Sequence, residues 1–105
     1  MLRIYDDMLE ALRTMRKLVS TIEKRDSDLA RQLRRAASSV VLNLGEGSGS
    51  VGRMRTARYR TALGSARETR AWLQVAEAFG YVGPMPEVLG QRLDHVIGTL
   101  VRVAI

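Results

Sequence analysis

The sequence predicts an all-α protein, an antiparallel four-helix bundle, and three observations carry that prediction. Four segments repeat their apolar residues at alternating intervals of three and four, and glycine or proline punctuates the joints between them. The 105 residues suffice for one hydrophobic core and no second, so residues 1–105 are read as a single domain.

The first segment runs from Ile4 to about Lys24, where Met8, Leu12, Met15, Val19 and Ile22 form a heptad-like seam. Asp6, Asp7 and Glu10 fall in its first turns and Lys24 and Arg25 at its end, the distribution that complements the backbone dipole. Ser27 or Asp26 then offers an N-cap for a second helix with the stripe Leu29, Leu33, Ala36, Val40 and Leu44. That helix is expected to stop near Gly45, because residues 45–52 (GEGSGSVG) hold four of the nine glycines and read as a loop. A third helix is predicted from about Arg53 to Phe79, with Tyr59, Ala62, Ala66, Leu73 and Ala76 inward and a length of about 40 Å. Gly80 supplies the left-handed residue after it. Tyr81 to Pro86 form a turn, Pro86 takes the first helical position, and Leu89, Leu93, Val96, Leu100 and Val103 mark a fourth helix. Val88, Ile97, Val101, Ala104 and Ile105 widen its apolar arc, and Leu42 stands among the arginines of helix two. A monomer would leave part of this surface wet, which predicts a homo-oligomer.

Composition removes whole classes of function. There is no cysteine, hence no disulfide framework, thiolate metal site or cysteine nucleophile, and a reducing compartment fits. The longest strictly apolar runs are three residues, against the roughly 20 that a membrane-spanning helix needs. Asp6, Asp7 and Glu10 interrupt the N-terminal stretch, so a signal peptide is not expected and the cytoplasm is the expected location. The net charge of +6 is concentrated: residues 31–60 hold seven arginines and one acid, Glu46, while the remainder holds ten bases and ten acids. Fifteen of the seventeen cations are arginine, the side chain best matched to phosphate and carboxylate.

Plotted at 100° per residue, Arg31, Arg34 and Arg35 face away from the stripe of helix two. Arg53, Arg60 and Arg67 share an outward stripe on helix three, with Arg55 and Arg58 nearer its edges. A cationic strip across two adjacent helices would bind backbone phosphates by counterion release. The same arginines could instead pair with acids of a neighbouring subunit, and the scarcity of local acids tilts the reading to a polyanion. Base-specific reading is not expected. Trp72, Phe79 and Tyr81 cluster near the end of helix three, where core packing or an interface accounts for them.

Enzymatic chemistry finds little footing. His95 is the sole histidine, beside Asp94, and is read as a surface or interface residue. Serines 38, 39, 48, 50 and 65 have no base arranged near them by sequence. Asp6, Asp7 and Glu10 could bind a hard cation, but the helix dipole already accounts for them, so no metal and no cofactor are expected. Gly47, Gly49 and Gly52 spell a literal GxGxxG, yet a helix rather than a strand precedes it, which excludes a dinucleotide fold. Exposed amides opening helix three, beside Arg53 and Arg55, could hold a phosphate, although a plain connector is the simpler reading. Asn43 projects close to the apolar arc of helix two, so its amide needs partners. Glu46 stands past the predicted helix end, where an arginine of helix one or three is the candidate partner. The pair is read as a polar lock for the bundle end.

Residues Gln32 to Gly47, QLRRAASSVVLNLGEG, resemble the QLRRAA and SNIAEG signature of a family of small four-helix-bundle proteins encoded in intervening sequences of bacterial 23S rRNA genes. Ala62 to Thr69 and Ala78 to Val82 are similar to that family's ALGS-x-x-E block and its L-G-Y-hydrophobic helix end. Gly45 stands where the family usually has alanine, and the start of helix three, Ala57-Arg58-Tyr59-Arg60, lacks the family's aromatic richness. The resemblance implies an up-down bundle assembling as a ring-like homopentamer. It also implies kinship with the accessory variability determinant of diversity-generating retroelements, whose partners are nucleic acid and a reverse transcriptase. The resulting expectation is a non-enzymatic, homo-oligomeric protein. It binds RNA or DNA backbone with low sequence specificity through Arg31, Arg34, Arg35, Arg53, Arg55, Arg58, Arg60 and Arg67. The competing class is an assembly or adaptor protein whose basic face meets an acidic protein partner.

Overall fold

The computed structural model describes residues 3–104, and Ile105, counted above in the apolar arc of the fourth helix, lies outside them. Four helices follow one another: α1 (Ile4–Arg25), α2 (Ser27–Ser48), α3 (Gly52–Ala78) and α4 (Glu87–Val103). No strand occurs among the described residues, and no helix is long and apolar enough to cross a membrane. Each helix packs on its neighbours in sequence and α4 closes on α1, the packing order of an elongated bundle of 42 × 24 × 20 Å. The α2 and α3 pair shares the most extensive contact.

The core is aliphatic. Met8, Met15 and Ile22 of α1 meet Leu33, Val40 and Leu44 of α2, with Leu89, Leu93, Val96 and Leu100 of α4, in one buried cluster. On α1 the small Ala11 is fully buried and Leu12 is pushed to the edge, half-buried. Ile97 of α4 and Ala104 just past its end are buried, whereas Val103, expected inside, is exposed together with Val88 and Val101. Part of the surplus apolar arc thus belongs to the core, and the remainder faces out. Thr69, which the periodicity of apolar residues passes over, is fully buried and donates its hydroxyl to the Ser65 carbonyl at 2.8 Å. Satisfying its own polar atom within the helix lets a threonine occupy a core site.

Of three helix boundaries, the first resolves the choice between Asp26 and Ser27 that the sequence left open, and the other two differ from the sequence expectation. Asp26, rather than Ser27, caps α2: its Oδ1 accepts from the Leu29 amide at 3.0 Å. α2 does not stop at Gly45 but continues to Ser48, and the eight-residue glycine loop shrinks to Gly49–Val51. The reason lies in packing. A Cβ on Gly47 would stand 2.3 Å from the buried Tyr59 ring, so Gly47 is there to let α2 approach α3, not to break a helix. Third, Pro86 precedes α4 in an extended conformation, and Glu87 is its first residue.

α3 ends as the sequence requires. Gly80 has φ +75°, its amide donates to Glu77 O and that of Tyr81 to Ala76 O, both at 2.9 Å, the paired bonds of a Schellman turn. The Tyr81 hydroxyl then donates to Asp26 Oδ2 at 3.2 Å, so one carboxylate serves both the α1–α2 joint and the turn after α3.

Two outcomes follow from these contacts. Gly47→Ala should destabilise the protein by about 1–3 kcal/mol in chemical denaturation, because the Tyr59 ring has nowhere to retreat. Gly45→Ala, whose Cβ would meet the Tyr5 ring at an ordinary 3.7 Å, should be neutral or stabilising by up to about 1 kcal/mol. Burial, and after it the bond to Asp26, holds the Tyr81 hydroxyl above its usual pKa of 10.0. The folded chain therefore keeps this proton longer than the unfolded chain does. The associated stability is intact below about pH 10 and is lost as pH rises toward the elevated value. Thermal melts between pH 9 and about 12 should show Tyr81→Phe declining less steeply than the parent.

Candidate nucleic-acid interface

The buried residues of α3, Tyr59, Ala62, Ala66, Thr69, Leu73 and Ala76, alternate at intervals of three and four, so positions seven apart keep a constant bearing toward the core. Three rows on its remaining surface matter here. Arg53, Arg60 and Arg67 form one, Ala57, Gly64, Ala71 and Ala78 a second, and Arg58, Ser65, Trp72 and Phe79 a third. Contacts fix their bearings. Arg58 Nη1 lies 2.9 Å from Glu46 Oε2, and Ser65 Oγ is hydrogen-bonded to Ser39 Oγ at 2.8 Å, so the third row borders α2. Arg60 Nε donates to the Ala104 carbonyl at 3.0 Å, so the first row borders α4. Two rows lie between them: the small-residue row, beside the arginines and farthest from the core, and then Met54, Thr61, Glu68 and Val75, beside the third row.

This geometry corrects the single two-helix strip expected from the sequence. Arg31, Arg34 and Arg35 of α2 share a surface with Arg58, while Arg53, Arg60 and Arg67 lie on the other flank of α3, about 160° from Arg58 in the case of Arg60. The arginines also differ in what holds them. Arg31 pairs with Asp28, Arg34 with Glu23 at 2.7 Å and Arg58 with Glu46. Arg55 turns back, its Nε donating to Ser50 O in the loop at 2.9 Å and to Gly47 O in the last turn of α2 at 3.3 Å, beside the Gly49 and Ser50 amides that already cap that helix. It is therefore directed at the α2–α3 joint, leaving Arg53 beside the opening amides of α3. Among the described residues, Arg35, Arg53 and Arg67 have no carboxylate partner.

The polar residues of the α2–α3 contact assemble into a ladder. Asn43, 9% exposed, donates through Nδ2 to Ser39 O at 2.8 Å and to Ser39 Oγ at 3.1 Å, and Ser39 Oγ in turn meets Ser65. Glu46 sits within the last turns of α2 rather than beyond it, and its partner is Arg58 of α3. Ser39 and Ser65, taken from the sequence only as serines without a base, are the link between the helices. The i, i+4 spacing of Ser39 and Asn43 on the edge of α2 was the signal.

Other candidates resolve individually. His95 Nδ1 lies 3.1 Å from Asp7 Oδ2 with Arg92 4.0 Å away on the other carboxylate oxygen, but the contact is out of hydrogen-bonding line and Asp7 Oδ2 stays without a donor. Glu10 pairs with Arg13, and among the described residues no three His, Cys, Asp or Glu side chains gather as a metal site would require. Core packing does not account for Phe79. It is 67% exposed, with its ring stacked on Tyr81 at 5.5 Å between centroids. Trp72 is half-buried and its indole N–H reaches Glu68 at 3.4 Å.

The hydrogen bond and charge of Arg34 hold the Glu23 carboxyl below its ordinary pKa of 4.5. The unfolded chain takes up this proton first as pH falls, so the pair's contribution is present above about pH 4.5 and vanishes as pH drops through the lowered value. Glu23→Gln should flatten the acid limb of the Tm profile below about pH 5 while leaving melting near neutrality little changed.

Comparison with known proteins places this architecture. A crystal structure of a protein of unknown function from the S23 ribosomal protein family of Bacteroides thetaiotaomicron superposes with a TM-score of 0.79 at 18% identity, covering 96% of this chain and 97% of that one. At that identity the likeness is one of fold. None of the curated proteins compared with the chain matches it. The family model for the 23S rRNA-intervening sequence protein matches residues 1–101. With nearly its whole length matched and the helices in place, the chain belongs to the 23S rRNA-intervening sequence protein family.

Proposed function

We propose that this protein is a non-enzymatic, homo-oligomeric binder of nucleic-acid backbone with low sequence specificity, and that the outer flank of α3 carries the activity. The supporting observation is a distribution of charge. Residues 52–67 contain five arginines and no acid, and Arg53, Arg60 and Arg67 stand in one row some 21 Å long at ~1.5 Å per residue. Arg60 spends its Nε on Ala104, and the row has no carboxylate partner among the described residues. A rigid helix holding three guanidiniums in line suits phosphates presented in series, and it carries no group that would read base edges.

The α2 arginines play a secondary part in this reading. Arg31, Arg34 and Arg58 already face carboxylates, so a phosphate arriving there displaces a partner and adds little net charge neutralisation. These exposed pairs are individually worth ~1 kcal/mol or less, and among the described residues Arg35 has no carboxylate partner on that side.

Fluorescence anisotropy with a labelled 20-base-pair duplex of arbitrary sequence, titrated from about 50 to 200 mM salt, tests the proposal. Three neutralised phosphates per subunit give a slope of log K against log salt near −3, or a loss of roughly 40-fold over that range. The triple variant Arg53→Ala, Arg60→Ala, Arg67→Ala should bring the slope close to zero. The triple variant Arg31→Ala, Arg34→Ala, Arg35→Ala should change it by about one unit at most. Absence of binding at 50 mM salt would overturn the proposal, and binding indifferent to the α3 substitutions would move the activity elsewhere on the molecule.

A further inference from the structure

We infer that the groove between α1 and α2 binds a small organic acid, a carboxylate carrying an apolar body, because a sequence repeat shared by these two helices supplies an acid at one end of the groove and omits it at the other. The site is separate from the arginine row of α3 and does not depend on nucleic-acid binding.

Residues 10–22, EALRTMRKLVSTI, align without a gap on residues 28–40, DLARQLRRAASSV. Arg13, Arg16 and Ser20 match Arg31, Arg34 and Ser38, and Lys17 matches Arg35. The contacts repeat with the letters: Glu10 pairs with Arg13 as Asp28 pairs with Arg31. The short joint at Asp26 makes α1 and α2 antiparallel neighbours, so the two copies are related by an approximate two-fold axis passing between the helices. Arg16 and Arg34, with Ser20 and Ser38, line one groove there of about 450 Å³.

The correspondence breaks one residue past the repeat. Arg34 is met across the groove by Glu23 of α1 at 2.7 Å, but the equivalent of Glu23 on α2 is Val41, which packs on the core and offers Arg16 no charge. Among the described residues neither Arg16 nor Lys17 has a carboxylate partner. The groove thus holds one carboxylate where its symmetry has room for two. Leu12, Val19 and Ala37 supply an apolar wall, and the small Ser20 and Ser38 leave the space between the helices open. A concave site of this size, largely apolar with a few placed polar groups, suits a small molecule. A ligand carboxylate beside Arg16 takes the part that Glu23 plays beside Arg34, and the ligand body rests on Leu12 and Val19. The uncompensated cations at the open end select an anionic head over a neutral or cationic one.

Phenylbutyrate serves as the probe and its neutral isostere, phenylbutanamide, as the control, each titrated at low salt by calorimetry and by amide chemical shifts of the isotope-labelled chain. The acid is expected to bind once per chain and about tenfold more tightly than the amide, with shifts concentrated in residues 12–23 and 34–41. Arg16→Gln should weaken the acid about tenfold and leave the amide unchanged. Val41→Glu restores the missing carboxylate and should weaken the acid equally, whereas Val41→Gln, of the same size but uncharged, should stay within about twofold of the parent. Should Val41→Glu lower stability, Arg16→Gln carries the test alone, since that side chain is exposed. Equal affinity for acid and amide, or an acid affinity indifferent to Arg16→Gln, overturns the inference, as do shifts that fall outside the groove or an acid that does not bind. Self-association of the parent that Arg16→Gln abolishes, with no response to the acid, assigns the open cations to contact between copies and overturns it too. None of these results alters the oligonucleotide titration, so the two proposals fail separately.

Discussion

The close approach of α2 and α3 is the constraint on which the remaining geometry depends. Gly47 accepts the Tyr59 ring where any side chain would collide with it, and farther along Ser39 meets Ser65, so at both points a small residue of α2 lets α3 come close. Small residues at a helix contact fix both separation and rotation, since little can shift without leaving a void or a clash. The rotation of α3 about its own axis is thereby set. Once Tyr59 and Ser65 are turned to α2, the heptad spacing dictates that Arg53, Arg60 and Arg67 emerge beside α4, and that Ala57, Gly64 and Ala71 point away from the core.

That rotation explains why equal formal charges have unequal physical meaning in this molecule. The chain concentrates its excess of arginine in residues 31–60, yet on α2 the side chains meet Asp28 and Glu23, acids that lie before residue 31 in sequence. Arg55 is withdrawn in another way, its Nε shared between a carbonyl in the last turn of α2, at the negative end of that helix dipole, and one in the loop that follows. Among the described residues, what remains unpaired on these two helices is narrower than the count of cations suggests, chiefly the flank of α3 that carries Arg53, Arg60 and Arg67, with Arg35 on α2.

The sequence made the helical class and most of each core stripe legible, Leu12, Thr69 and Val103 excepted, because burial imposes its period directly on residue type. Leu33, Val40, Leu89, Leu93 and Leu100 could be assigned inward from spacing alone, and Gly80 ended α3 as its position foretold. Gly45 and Gly47 misled, because a glycine that permits helix contact and a glycine that ends a helix are the same letter, and only the partner ring of Tyr59 distinguishes them. The interface was half legible. A wheel drawn for each helix separately shows which arginines face outward but carries no information on which neighbour each flank adjoins. The single strip therefore dissolved once α2 and α4 stood on opposite sides of α3. Of the two places expected for Phe79, the core or an interface, the structure removes the core, and nothing local to the sequence marks an aromatic side chain stacked on a neighbouring tyrosine outside it.

Asp26 has a consequence for how the chain is closed. Its cap on α2 is a local contact, three residues away, but its bond with Tyr81 spans 55 residues and joins one helical hairpin to the other. The α1–α2 and α2–α3 pairs are near neighbours along the polymer and can zip without drawing in much intervening chain, whereas this clasp encloses more than half of it. Entropy of ring closure places it among the later bonds to form. A carboxylate that begins as the nucleus of a single turn thus finishes as the seam between two halves of the polypeptide.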